Sequence, residues 1–192
     1  MKTVSKTINV YSFSELSPQA QQRAIQHRQE SEEWLGGDEC LSSLKSFCER
    51  VGISLRNYQL GDRSNVKWSF DADSQFDWDR YHDATHMKGV RLWKWFQNNH
   101  WTFSAEEIRE AAKGSCPLTG VWSDCPLFDA FARFLDKPDR RTTFEDLLQE
   151  AKSDFESVCD KEYEYCFSEE AARESLENSD DEFTEDGEVF LG

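Results

Sequence analysis

The chain has 192 residues, a formal net charge of −16 and 38% apolar residues, among them seven Trp and fourteen Phe. This length suits one domain with a sizeable core, and the many aromatic residues exclude wholesale disorder. No run approaches the ~20 apolar residues of a membrane span, and the first residues lack the apolar segment of a secretory signal. We therefore expect a cytosolic protein whose six cysteines are free thiols.

The first quarter of the chain predicts one strand and two helices. Residues 8–13 alternate between polar and apolar side chains, as in a short strand. A helix is expected over 18–35, capped by Ser17 and ended by the Gly-Gly pair that follows. A second helix is expected over 38–51, with Cys40, Leu44, Phe47, Cys48 and Val51 facing inward, and the next glycine ends it.

The middle of the chain predicts a hairpin followed by helices. Two strands, 53–60 and 65–72, flank the turn-like sequence G-D-R-S. Between 71 and 86 no pattern prevails. Helical spacing returns in three segments: 89–101, 104–114 and 125–135.

The acidic residues are concentrated in the last quarter. Residues 142–192 contain 18 acids and 3 bases, whereas residues 1–141 contain 20 acids and 19 bases. The acidic part predicts an amphipathic helix over 142–166, a shorter helix behind Ser168 and a closing hairpin over 181–191. The prediction is one α+β domain over 1–192, with a near-neutral core (1–141) and an acidic folded surface (142–192).

The two ends of the chain carry a resemblance. V-Y-S-F-S-E-L-S-P-Q-A-Q-Q-R-A-I (10–25), E-Y-E-Y-C-F-S-E-E-A (162–171) and E-F-T-E-D-G-E-V-F (182–190) resemble a family of small acidic proteins encoded by bacteriophages and prophages. The resemblance covers roughly the first 30 and the last 40 residues. It implies a phage origin and action in the cytoplasm of an infected bacterium, and supplies no catalytic residue because the family has no assigned biochemistry.

Two segments suggest metal sites. His82 and His86 are four residues apart, a spacing that places zinc ligands on one helix face, and Asp77 and Asp79 precede them. The alternative function is therefore a metal-dependent enzyme at these four residues. No third zinc ligand is evident downstream, and the aspartates of 71–79 lack the glycine and glutamate of a calcium loop. Solvated surface residues explain both patterns more simply.

Basic and aromatic residues alternate in R-L-W-K-W-F-Q-N-N-H-W (91–101), as in surfaces that stack single-stranded nucleic acid. Leu92, Trp95 and Phe96 also fit an ordinary core stripe, and a net charge of −16 opposes polyanions. We therefore expect no direct nucleic-acid binding.

Acids recur about every four residues along the predicted helix 142–166. At ~1.5 Å rise per residue the charges are ~6 Å apart, close to the phosphate spacing of one DNA strand. Like charges at this spacing destabilise a helix. We expect these acids, Asp146, Glu150, Asp154, Asp160 and Glu164, to face solvent, opposite an apolar stripe that runs from Phe144 to Val158. We expect ten acids to contact a partner: Asp146, Glu150, Asp154, Glu156, Asp160, Glu164, Asp180, Asp181, Glu185 and Asp186.

These patterns together predict a non-enzymatic phage inhibitor without a cofactor or metal. Its expected partner is a host defence protein with a basic nucleic-acid-binding surface, such as a CRISPR effector or a restriction complex, recognised by nucleic-acid mimicry. Besides the metal-dependent enzyme, an antitoxin-like partner of a small basic toxin is the other alternative.

Overall fold

The computed structural model describes residues 8–70 and 84–191 and confirms an α+β fold. The helices are α1 (Pro18–Ser31), α2 (Gly36–Val51), α3 (Val90–Gln97), α4 (Ala105–Glu110), α5 (Pro126–Asp136), α6 (Phe144–Cys166) and α7 (Glu169–Glu177), and the strands are β1 (Ile53–Gln59) and β2 (Asn65–Phe70). Within the described ranges, none of the helices combines the length and the apolar character needed to cross a membrane.

The chain folds as two compact units. The terminal unit combines Met1–Trp34 with Tyr163–Gly192, and the central unit is Leu35–Glu162. These boundaries differ from residue 142, where the charge of the sequence changes. The terminal unit contains the segments 10–25 and 182–190 and all but the first residue of 162–171, so the three segments on which the predicted resemblance rests fold together.

In the terminal unit, α1 begins as predicted and ends earlier. The Ser17 side chain accepts a hydrogen bond from the Ala20 amide at 3.2 Å, and Pro18 is the first helical residue. The predicted end at the Gly-Gly pair is wrong: α1 ends at Ser31, and Gly36 begins α2. Glycine is enriched beyond helix ends and tolerated at helix starts, so the pair alone did not distinguish the two.

Phe183 lies at the centre of the terminal unit and is fully buried. Its amide and carbonyl exchange two hydrogen bonds of 2.9 Å with Tyr11, and its ring packs edge-on against Phe13 at 6.2 Å. The predicted strand 8–13 is thus reduced to one bridge. Phe183 also pairs with Val189, which leaves one bridge of the predicted closing hairpin.

The central unit is built around aromatic side chains. On α2 the predicted inward residues, Cys40, Leu44, Phe47, Cys48 and Val51, are all buried, which confirms that face. β1 and β2 form the predicted antiparallel hairpin, with a bulge between Leu55 and Asn57. The Trp101 ring lies 4.6 Å from Phe131 and 5.2 Å from Phe103.

The predicted helix 89–101 is shorter in the structure, because α3 ends at Gln97. Asn99 adopts a left-handed backbone with φ 55°, a conformation that asparagine tolerates and that interrupts a helix. The chain therefore turns, and Trp101 and Phe103 become 2% and 1% exposed.

A glycine in the closing turn gives a test of the terminal unit. Gly187 has φ 87°, and a Cβ there would overlap the carbonyl oxygen of Ala20. We expect Gly187→Ala to cost more than the ~1–2 kcal/mol of left-handed strain alone. Gly120→Ala is the matched control, with φ 84° and open space around the added Cβ. Equal losses of unfolding free energy in the two variants would contradict the close approach of Gly187 to α1.

Candidate protein-binding acidic surface

Asp146, the first of the ten predicted contact residues, caps α6. Its carboxylate accepts hydrogen bonds from the Thr143 amide at 2.9 Å and the Thr143 hydroxyl at 2.7 Å. The Asp146 amide donates back to the Thr143 hydroxyl at 3.1 Å. The two hydrogen bonds that the carboxylate accepts, the one from the Thr143 amide first and then the one from its hydroxyl, lower the pKa of Asp146. The side chain is exposed, but it also has a structural role at the helix start.

Glu150 and Asp154 share one arginine of α5. The Nη2 atom of Arg133 donates to Glu150 at 2.6 Å and to Asp154 at 2.7 Å. Half of the Arg133 side chain remains exposed, so each ion pair stabilises the fold weakly. The two charges are nevertheless partly neutralised, which interrupts the regular row of free acids expected along the helix.

Glu156 and Asp160 hold the β-hairpin. Glu156 accepts a hydrogen bond from the Val66 amide at 2.5 Å, and Asp160 accepts one from the Ser64 amide at 2.6 Å. Both side chains are half-buried. The expectation that Asp160 faces open solvent is therefore wrong. The repulsion between acids of α6 is offset by hydrogen bonds to backbone amides of the turn and β2.

The other five predicted residues belong to the terminal unit, and all are exposed. Asp186 pairs with Arg23 at 3.2 Å, and its side chain remains 81% exposed. Within the described part of the chain, the carboxylates of Glu164, Asp180, Asp181 and Glu185 form neither a hydrogen bond nor an ion pair.

We call the exposed carboxylates of residues 163–192 with no such contact to the described residues the acidic terminal set. Four further residues that sequence reasoning did not single out belong to it. The full set is Glu164, Glu170, Glu177, Asp180, Asp181, Glu182, Glu185 and Glu188. By sequence, the terminal unit has 15 acids and 5 bases, a net charge of −10 out of −16. The excess charge thus lies mainly in the smaller unit.

The candidate metal residues are only partly covered by the structure. Asp77, Asp79 and His82, with the rest of 71–83, lie outside the described residues. His86 lies just after this gap. Among the described residues, His, Cys, Asp and Glu side chains form no group of three that could hold a metal ion.

The tryptophan-rich segment contributes to the core of the central unit. Trp95 and Trp101 are 6% and 2% exposed, and Phe96 is fully buried. The indole N–H of Trp93 donates to the Leu135 carbonyl at 2.9 Å. Rings in this position cannot stack on bases without opening the core, so the segment does not provide a stacking surface.

No pattern in the sequence singles out Asp124, a fully buried aspartate in the loop before α5. Its carboxylate accepts hydrogen bonds from the Ser43 hydroxyl at 2.6 Å and the Thr119 hydroxyl at 2.8 Å. The amides of Leu118 and Thr119 donate to its other oxygen, each at 2.8 Å. Burial alone would raise the pKa of Asp124, but these hydrogen bonds lower it below its usual value. The carboxylate organises the loop and is closed to solvent.

In the comparisons, no family model, curated protein or solved structure matches this chain. The resemblance to phage proteins therefore stays a prediction, and the function is argued from the geometry alone.

The bond between Asp160 and the hairpin is tested by substitution. We expect Asp160→Ala to lower the unfolding free energy by about 1–2 kcal/mol, because the half-buried Ser64 amide loses its acceptor. Glu162→Ala, an exposed acid two residues further along α6, serves as the control and is expected to change it by less than ~0.5 kcal/mol. Denaturant unfolding measures both. Equal effects would show that the Asp160 hydrogen bond contributes nothing to the fold.

Asp124 gives a prediction with a defined pH dependence. Asp124→Asn would point an amide group at several donors, with an expected cost of about 2–3 kcal/mol at neutral pH. Because the folded-state pKa is lowered, the contribution of Asp124 is present above the unfolded-state pKa of ~3.9 and is lost as pH falls through the folded-state pKa. The difference in unfolding free energy between wild type and variant should therefore become smaller at acidic pH.

Asp129→Asn is the control, because its expected effect on the unfolding free energy has the opposite sign. Burial raises the pKa of Asp129, so its charge opposes folding at neutral pH. This variant should be neutral or more stable than wild type at pH 7. Unfolding of both variants between neutral and acidic pH checks the pair, and the same sign for both would contradict these assignments.

Proposed function

We propose that this chain is a phage-encoded, non-enzymatic inhibitor that binds a host defence protein in the bacterial cytoplasm. The acidic terminal set makes the contact, and the partner is a CRISPR effector or a restriction complex with a basic nucleic-acid-binding surface. The observation that carries the proposal is the difference between the two groups of acids. The predicted acids of α6 from 146 to 160 bind within the protein, whereas those of the terminal set are exposed and form no hydrogen bond or ion pair with the described residues.

The physical basis is a concentrated negative field on a folded unit. A net charge of −10 over 64 residues attracts a basic groove and raises the rate of encounter with it. The charges are borne by the end of α6, by α7 and by the bridged segment after α7, whose backbone is hydrogen-bonded to Tyr11. Ordered carboxylates of this kind can occupy phosphate positions in a nucleic-acid groove.

A recess beside Glu185 suits a basic side chain of such a partner. It has a volume of about 260 Å³ and is lined by Tyr11, Glu15, Leu16, Ser17 and Glu185. An arginine binds well where an aromatic ring and an apolar side chain contact its plane and carboxylates face its edge. Glu15 already accepts hydrogen bonds from Ser12, so Glu185 is the carboxylate left to bind a partner.

The test uses purified defence complexes and labelled target DNA. We expect the wild-type protein to displace DNA from a CRISPR effector or a restriction complex, with an affinity that falls as salt shortens the Debye length below ~10 Å. Replacing Glu164 and Glu185 by Gln and Asp180 and Asp181 by Asn should weaken inhibition at least about tenfold, mainly through slower association. The fold should remain intact.

The matched control removes four exposed charges from the central unit: Asp38→Asn, Glu49→Gln, Asp62→Asn and Glu162→Gln. It should inhibit as wild type does. Equal inhibition by both quadruple variants would show that the terminal acids only keep the protein solvated and do not bind the partner. No displacement of DNA from either class of complex would refute the proposed target, and tight binding of a small basic toxin instead would favour the antitoxin-like alternative.

A further inference from the structure

Two thiols of the central unit lie side by side before α5. Cys125 precedes Pro126, the first residue of α5, and Cys116 follows the short π-helical turn Ala111–Ser115. Both side chains are partly exposed, and their Sγ atoms are 3.8 Å apart. A disulfide holds its sulfurs about 2.05 Å apart, so the pair has to close by about 1.8 Å.

The loop between the two thiols is held by hydrogen bonds to a buried carboxylate. The amides of Leu118, Thr119 and Gly120 donate to one oxygen of the buried Asp124 at 2.8, 2.8 and 3.3 Å. The Gly120 amide also lies 3.1 Å from the Cys116 carbonyl oxygen. Both cysteines are therefore held at the ends of an ordered loop, and little chain entropy is lost when they join.

We propose that Cys116 and Cys125 form an oxidisable pair, which a peroxide converts to an intramolecular disulfide. This modification site is independent of the acidic terminal set, since it lies in the other unit and uses none of its residues.

The reaction balances with one peroxide for each disulfide. The Cys116 thiolate attacks a peroxide oxygen, the O–O bond breaks, and Cys116 becomes a sulfenic acid. The hydroxide released takes up the proton that Cys116 lost and leaves as water. The Cys125 sulfur then attacks the Cys116 sulfur, the S–O bond breaks, and the Cys125 proton leaves with the hydroxyl group as a second water. Two thiols are oxidised and one hydrogen peroxide is reduced.

The order of the two steps follows from the surroundings of Cys125. Burial first, and then the neighbouring Cys116, raise the pKa of Cys125 to about 11. Cys125 is thus protonated at neutral pH and reacts poorly with peroxide, because the thiolate is the nucleophile. It acts as the second thiol, already within 4 Å of the sulfenic acid when that forms.

The other cysteines are placed differently. Cys40 and Cys159 are fully buried, and burial raises the pKa of Cys48 to about 12. Cys166 is partly exposed but belongs to the terminal unit, where its thiol lies 3.9 Å from the Glu33 carbonyl oxygen. Cys166→Ser is therefore the matched control for a partly exposed thiol outside the pair.

The experiment treats the full chain with hydrogen peroxide at one equivalent and maps the peptides by mass spectrometry without reduction. We expect the mass to fall by two hydrogens, a peptide linked through Cys116 and Cys125, and reversal by dithiothreitol. The melting temperature of the oxidised protein should rise by a few degrees, since the link constrains the unfolded chain.

The variants separate the proposed pair from general thiol oxidation. Cys116→Ser and Cys125→Ser should each abolish the internal link, and Cys125→Ser should accumulate the sulfenic acid on Cys116, detected by a dimedone adduct. Cys166→Ser should behave as wild type. Oxidation of wild type that stops at sulfenic or sulfinic acid, or links other cysteines, would overturn the proposal. Circular dichroism of the reduced variants confirms that they are folded.

Discussion

The burial of Phe144 in the first turn of α6 is the constraint on which the arrangement of the acids depends. Its ring lies 5.7 Å from Trp101 and 6.2 Å from Phe131, inside the aromatic core of the central unit. Because residues three and four apart share a helix face, this contact also turns the apolar stripe that continues to Phe155 inward. The acids between these positions are thereby aimed at α5 and at the β-hairpin.

The same amino-acid type consequently has two physical roles in this chain. On α6, the carboxylate of Asp160 accepts a hydrogen bond from a backbone amide of the hairpin turn in place of one from water. This bond stabilises the central unit. In the terminal unit, acids such as Asp180 and Asp181 are exposed, and their carboxylates form no hydrogen bond or ion pair with the described residues. Only charges of the second kind are available to a partner without breaking a contact of the fold, so the terminal unit is the better candidate for recognition.

The local spacing of apolar and capping residues predicted the helices well. Contacts between residues far apart in the sequence could not be predicted in this way. The α6 stripe, the Ser17 cap and the hairpin follow from spacing and capping residues and are confirmed. The internal partners of the α6 acids, and the burial of Asp124 among donors from α2 and its own loop, required the tertiary structure. Their partners are as much as 96 residues away, at Ser64, and no local pattern encodes such a pairing.

The most direct measurement is a titration of the isotope-labelled protein with a short oligo-arginine peptide, followed by amide chemical shifts at physiological salt. The peptide is a minimal basic surface and needs no knowledge of the natural partner. We expect saturable shifts concentrated between residues 164 and 188, with small changes between 146 and 160. Shifts concentrated on α6 instead, or spread evenly over both units, would contradict the division between structural and available acids.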